Sequence, residues 1–164
     1  MSAIKLLLQN WSSMLCLPNP KILPSSVLKP SHYERKGRSH QIHVRFTLDG
    51  TELAFHELGH FFLEVHFGRI VPRATFEFLF GSRDDDYDSP LLNVPGVRHL
   101  PAEHEGYLNL YAETHPEEDW AECFALVMMS IHQNEDLPEY EDEDLNRKLR
   151  FVARAIDKAL KKGA

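Results

Sequence analysis

The chain has 164 residues, with 18 Lys+Arg against 25 Asp+Glu, a formal charge of -7, and 43% hydrophobic and 26% charged residues. That is ordinary globular material, long enough for one domain to bury a core without disulfide staples. It argues against a nucleic-acid binder, because nothing in it would neutralise a row of phosphates.

The two cysteines, Cys16 and Cys123, form no disulfide framework. No apolar run approaches the ~20 residues that span a bilayer. The 4–8 run is too short for a signal-peptide core. These features point to the cytoplasm, leaving export by a signal-independent route open. One count stands out against this background: ten histidines.

Residues 4–17 read as a short amphipathic helix ended by Pro18 and Pro20. Residues 18–38, rich in Pro and Ser and then basic, read as a connector. From residue 39 to 48, Ile42, Val44, Phe46 and Leu48 alternate with His43, Arg45 and Thr47, the pattern of a half-buried strand. Asp49-Gly50 suits a turn and Thr51 an N-cap, before a helix running to about Phe67 with Gly68 as its C-cap. Residues 74–80 suit a strand, 82–90 an acidic loop, and 107–111 a strand or an irregular segment. A second long helix is expected over 116–133, capped by Thr114 or His115 with Pro at an early position. An acidic linker (134–144) precedes a last helix with Leu145, Leu149, Val152, Ile156 and Leu160 on one stripe. The expected arrangement is a single domain over 1–164. It comprises an N-terminal helix and connector (1–38), a catalytic core (39–133), and the linker and C-terminal helix (134–164).

The first long helix carries His56-Glu57-Leu58-Gly59-His60, an H-E-x-x-H pattern. Residues four apart on a helix differ by about 40° in direction, so both imidazoles project from one side at chelating distance. Glu57, about 100° round, reaches a water at the metal without ligating the metal itself. Zinc in such a site lowers the pKa of its water to near 7, and the carboxylate serves as general base.

Three candidates compete for the third ligand. His66 has the spacing of the longer H-E-x-x-H-x-x-G-x-x-H form. That form needs a glycine where this chain has Leu63, so the helix continues and His66 points away. It reads as a satisfied surface or interface histidine. Glu64 drifts off the chelating side and suits a supporting role. Glu118 and Glu122 share a face of the second long helix, continued by Ala125 and Met129, while Trp120, Phe124, Val127 and Ile131 form the opposite stripe. A helix buried on both sides makes carboxylates expensive unless they are paired or metal-bound. Glu118 is therefore the expected ligand, and Glu122 the acceptor for the other N–H of a ligating histidine. Small Ala121 and Ala125 would let the helices approach closely. Glu117 and Asp119 read as a surface acidic patch favoured by the helix dipole.

The pair HELGH and EDWAE resembles the gluzincin zinc peptidases, whose glutamate ligand lies on a helix downstream of the H-E-x-x-H helix. Lethal-factor-type and Pro-Pro endopeptidase domains are similar in a further respect. They carry a tyrosine seven residues before the glutamate ligand, its hydroxyl aimed at the oxyanion, and Tyr111 stands seven before Glu118. His115-Pro116, EDWAE and Phe124-Ala125 also resemble a group of zinc-binding metallopeptidases and a repressor-cleaving type with HELGH. The resemblance covers residues 39–68 and 111–131. It implies an α+β, zincin-like fold, a small mixed sheet with the H-E-x-x-H helix packed on a second helix that carries the glutamate ligand. It also implies Tyr111 as the oxyanion donor.

Tyr107, His99, His104 and His115 are alternative oxyanion or substrate contacts, His115 the best placed of them. Asp84, Asp86 and Asp88 alternate like a calcium loop, but Ser89 and Pro95 stand where glycine and glutamate are needed. Cys123 reads as an inert core thiol. The 39–48 strand could pair along its edge with an extended peptide. The expected function is zinc-dependent hydrolysis of a protein or peptide substrate, as an endopeptidase in preference to an exopeptidase. His56, His60 and Glu118 would hold Zn2+, with Glu57 as base. The alternative is a non-catalytic binding or regulatory module that keeps a zincin-like metal site.

Overall fold

Side-chain spacing in this chain builds helices around a short sheet. The computed structural model describes residues 3–24, 32–44, 50–84 and 96–163. Its elements run α1 (Ala3–Met14), β1 (Lys21–Pro24), β2 (His32–Lys36), β3 (Ser39–Val44), α2 (Gly50–His66), α3 (Arg73–Phe80), α4 (Pro116–Gln133) and α5 (Glu143–Gly163). Short 3-10 turns lie at Val97–His99 and Ala112–Thr114. The fold is α+β with a small mixed sheet. Among the described residues no helix is long and apolar enough to cross a membrane.

The sheet order is β1-β3-β2, with β1 parallel and β2 antiparallel to β3. Residues 18–38, which composition marks as a connector, thus supply both outer strands. The pattern hides them for a physical reason. β1 is only four residues long and ends in Pro24, and β2 reads HYERK, with Tyr33 its one large apolar side chain. β3 is paired on both sides, so it is the central strand and its edge is closed to a peptide. The remainder of the expected strand, 45–48, lies outside the described residues, as does the Asp49 half of the expected turn.

Tyr33 and His40 share the sheet face that meets α2, their rings 5.5 and 4.6 Å from that of Phe61. Ile42 on the same face is fully buried. α2 begins at Gly50, one residue before the expected cap Thr51, and ends at His66. Gly68 follows at φ +75°, the left-handed region that glycine enters without strain. α2 is then covered by α4, and Gly59 sets how closely the two cross. A Cβ at Gly59 would lie 3.0–3.1 Å from Phe124, tighter than ordinary van der Waals contact. Trp120 Nε1 donates to the Gly59 carbonyl at 3.0 Å. The aromatic layer continues from Trp120 to Phe62, Phe76, Phe80 and Phe151, with ring centroids 5.7–6.2 Å away. Such pairs add about 0.5–1.5 kcal/mol each beyond their area burial.

Residues 73–80 form a helix and not the strand their composition suggests. Phe76 and Phe80, four apart, are buried while Phe78 is 77% exposed, a helical and not a two-residue period. Residues 107–111 are irregular, as one of the two readings had it. α4 spans the expected range, with His115 Nδ1 accepting from the Glu117 amide at 3.1 Å. Its apolar stripe stops short of Ile131, which is exposed. Met128 and Met129 continue the helix, and the α5 stripe packs in the core.

Asp119 departs from its expected place on the surface. It is fully buried, with Lys148 Nζ of α5 2.5 Å from its Oδ2. α5 begins after 134–142, where Asp142 Oδ1 accepts from the amides of Asp144 and Leu145. Lys148 also donates to the Gly106 carbonyl at 2.7 Å and lies 4.0 Å from the Tyr107 ring. Asp142 accepts from the Gly106 amide. Burial raises the Asp119 carboxyl, against the pull of Lys148, to about 7. Cys123 beside it is fully buried, and burial raises its thiol well above the ordinary range, which keeps it inert.

Lys148→Met should destabilise the fold by about 3–5 kcal/mol, the usual cost of stranding one member of a buried ion pair. The folded state holds the Asp119 proton to a higher pH than the unfolded chain does. The variant's stability should therefore fall as pH rises through neutrality. Urea unfolding of both proteins at pH 5 and pH 8 measures this.

Candidate metal centre

The helical spacing of HELGH delivers what the periodicity requires. His56 and His60 project from one side of α2, their Nε2 atoms 3.1 Å apart. From α4, Glu118 Oε2 lies 3.1 Å from His56 Nε2 and 3.3 Å from His60 Nε2. These separations have a geometric meaning. Four ligands about 2.0–2.1 Å from a tetrahedral zinc are about 3.3–3.4 Å apart. The three donors thus stand close to three corners of a zinc tetrahedron, and they form a group able to hold a metal ion.

The donors line a cleft of about 270 Å³ together with Glu57, Glu64, Tyr111 and Glu117, reached also by His32 and Tyr33 of β2. Glu57 is buried, and burial raises its pKa, moving a carboxylate toward the range useful for proton transfer. Burial also disfavours the charged form of Tyr111, and the neighbouring Glu118 and Glu57 charges push its pKa further up. Its hydroxyl thus keeps its proton and is a donor. Its ring centroid is 5.9 Å from that of His56.

Burial opposes the negative charge on Glu118, but His60 and His56 outweigh it and hold the carboxyl well below the usual range. Burial likewise opposes a charged His56, yet hydrogen bonds to Glu118 and Glu122 raise its pKa to about 9. Glu122, one turn beyond Glu118, sits behind the triad with His56 Nδ1 2.8 Å from its Oε1. Two further residues hold Glu122, and no spacing in the sequence singles them out. Arg98 Nη2 lies 2.5 Å from Oε1, and Asn109 Nδ2 donates to Oε2 at 2.8 Å. Arg98 also stacks over Tyr111 at 5.8 Å. Asn109 Oδ1 accepts from the Ala112 amide at 2.8 Å, bracing the turn that follows Tyr111. Arg98 lies in the 3-10 turn Val97–His99 and Asn109 in the irregular stretch beyond it, and only the three-dimensional path brings them to Glu122.

The other candidates fall elsewhere. His66 is buried and not on the surface, because its Nε2 donates to the Leu15 carbonyl at 2.9 Å. That bond ties α2 to the end of α1, away from the metal donors. Glu64 lines the cleft mouth, its Oε1 2.6 Å from Arg35. Glu117, read as part of a surface patch, is 2.5 Å from Arg83 at that mouth. His115 caps α4, its Nδ1 accepting from the Glu117 amide. His104 pairs with Glu113 at 2.9 Å, Tyr107 covers Lys148, and His99 is exposed. Of the calcium-like triplet only Asp84 lies within the described residues.

The sequence pattern of a family described as "Putative zinc-binding metallo-peptidase" matches residues 45–154, about two thirds of the chain. The chain belongs to this family. No curated protein and no solved structure matches it. The match spans α2, α4 and most of α5, so both helices that supply this metallopeptidase-family member with its donor triad lie inside it.

A ligating imidazole must be neutral, so zinc uptake by the metal-free protein at pH 7 should release a proton from His56. Calorimetric titrations in buffers of different ionisation enthalpy count that proton. The folded pKa of His56 lies above its unfolded value. Its pairing therefore stabilises the metal-free fold fully below about pH 6.5 and fades as pH rises toward 9. The Tm of chelator-treated protein should decline across that interval. Arg98→Ala should weaken zinc binding about 10- to 100-fold by loosening Glu122, measured by competition with a chromophoric chelator.

Proposed function

We propose that the chain is a zinc-dependent peptidase of the gluzincin type with a zincin-like domain, acting on internal peptide bonds of a protein or peptide substrate. The observation that carries this reading is the near-tetrahedral spacing of His56, His60 and Glu118 in a cleft that also holds a buried carboxylate and a protonated tyrosine. A purely structural site needs neither of these last two groups, which favours catalysis over a binding module.

Zinc held by the triad supplies Lewis-acid polarisation of the scissile carbonyl and a lowered pKa for water. The chain's own residues do the rest. Glu57 takes the proton from the attacking water and passes it to the leaving amine nitrogen, a transfer that its raised pKa favours. Tyr111 donates its hydroxyl hydrogen to the oxyanion developing at the carbonyl, where a fixed donor in a dry site is most effective. Glu122, anchored by Arg98 and Asn109, accepts from His56 Nδ1 and fixes that ring with Nε2 facing the cleft. A substrate backbone pairs with β2. Among the described residues that strand has β3 as its sole partner, and its His32 and Tyr33 line the cleft. Strand pairing reads main chain on both sides of the cleaved bond, which suits an endopeptidase.

Glu57→Gln should keep its zinc and lose about 10²- to 10⁴-fold in cleavage of an unbiased peptide library. Tyr111→Phe should lose about 10²- to 10³-fold in kcat with zinc content unchanged. Glu118→Ala should lose the zinc of the α2–α4 site, whereas His66→Ala should retain it despite lower stability. Cleavage by zinc-replete Glu57→Gln at the wild-type rate would overturn the mechanism.

A further inference from the structure

Strand β2, which lines the cleft, and its neighbour β3 carry a second set of metal-type donors. In the β2–β3 ladder His32 stands opposite His43, and Glu34 opposite Gln41. Side chains alternate along strands, so His32, Glu34 and His43 share one face. Tyr33, His40 and Ile42 occupy the other, against α2. The His32 and His43 rings stack with centroids 4.3 Å apart and planes 6° from parallel. One ring nitrogen of each and a carboxylate oxygen of Glu34 all lie within 4.8 Å of one another, with all three residues half-buried.

We propose that this sheet face binds a second divalent ion of the zinc class, held by His32, Glu34 and His43 and independent of the α2–α4 site. The donor chemistry selects the ion. Two imidazoles and one carboxylate suit zinc, nickel or copper, whereas calcium and magnesium require mainly oxygen donors. The architecture also suits it. Ligands at i and i+2 of one strand, with a third directly across the ladder, converge on one face without any backbone rearrangement. Closing donors that lie within 4.8 Å to the ~3.4 Å spacing of a tetrahedral site takes side-chain rotation alone. The ion must compete with Lys36, whose Nζ is 3.1 Å from Glu34 Oε2. Both side chains reach solvent, which weakens their pairing. The site shares no donor with the triad of α2 and α4. Its occupant would clamp the outer strand β2 to β3, and His32 extends it to the cleft wall.

Equilibrium dialysis of the full chain against zinc alone tests this. Wild type should take up two equivalents. The double variant His32→Gln/His43→Gln should take up one, and Glu118→Ala should keep one. Glu34→Gln, which changes a solvent-facing ligand, should weaken the second equivalent at least tenfold. Amide exchange in β2 should slow when the second equivalent binds to wild type and should not slow in the double variant. A double variant that binds as many equivalents as wild type, with β2 exchange unaltered by zinc, would overturn the proposal. The outcomes for the two sites stay separate. Loss of no zinc in Glu118→Ala speaks against the triad alone, and loss of none in His32→Gln/His43→Gln speaks against the sheet site alone.

Discussion

One carboxylate oxygen, Glu118 Oε2, stands within 3.1–3.3 Å of two imidazole nitrogens, and the Glu118 and His56 side chains are buried. An ionised carboxylate in such a place is costly without positive partners, and the surroundings are organised around supplying them. α4 turns three buried acidic residues toward three sets of nitrogen partners. Glu118 meets the two histidines, Glu122 meets His56 and Arg98, and Asp119 meets Lys148 of α5. Residues 118 and 122 are one turn apart and so face α2 together. Residue 119, about 100° round, faces α5. Charge satisfaction thereby sets the rotation of α4 about its own axis.

The separation of the two helices depends on a different force. The donor triad requires α2 and α4 to cross closely, and Gly59 with its hydrogen atom against Phe124 permits that approach. Trp120 adds a directional bond to the Gly59 carbonyl at the same crossing. Ala121 and Ala125, expected to provide room, are buried. The residue in contact at the crossing stands on the opposite helix, inside the HELGH motif. Packing density at this point leaves the positions of the metal donors little freedom.

Much of this is legible in the sequence. The i, i+4 histidines specify one helix face, and Pro116 marks the start of α4. The cost of burying charge picks out Glu118 and Glu122 from their acidic neighbours. Other features carried no local sign. β1 and β2 have too few apolar side chains to show a two-residue period. Phe78, exposed between Phe76 and Phe80, makes a helical segment look like a strand. Asp119 sits next to residues of the same charge, and its partner Lys148 is far away in sequence. Arg98, in a short 3-10 turn, and Asn109, in irregular chain, reach Glu122 only through the three-dimensional path. Long-range pairing accounts for each of these differences except α3, which its own helical period sets.

Gly106 is gripped at both its polar groups by the entry to α5. Its amide is bound by Asp142 and its carbonyl by Lys148. A few residues further on come Asn109 and Tyr111, one holding Glu122 and the other lining the cleft. The C-terminal helix is thus mechanically continuous with the cleft wall. A break in the chain beyond Gln133 would release the segment that aims Tyr111, even though every metal donor lies upstream of it. Selection on this helix would then act through the precision of the cleft as much as through the core it covers.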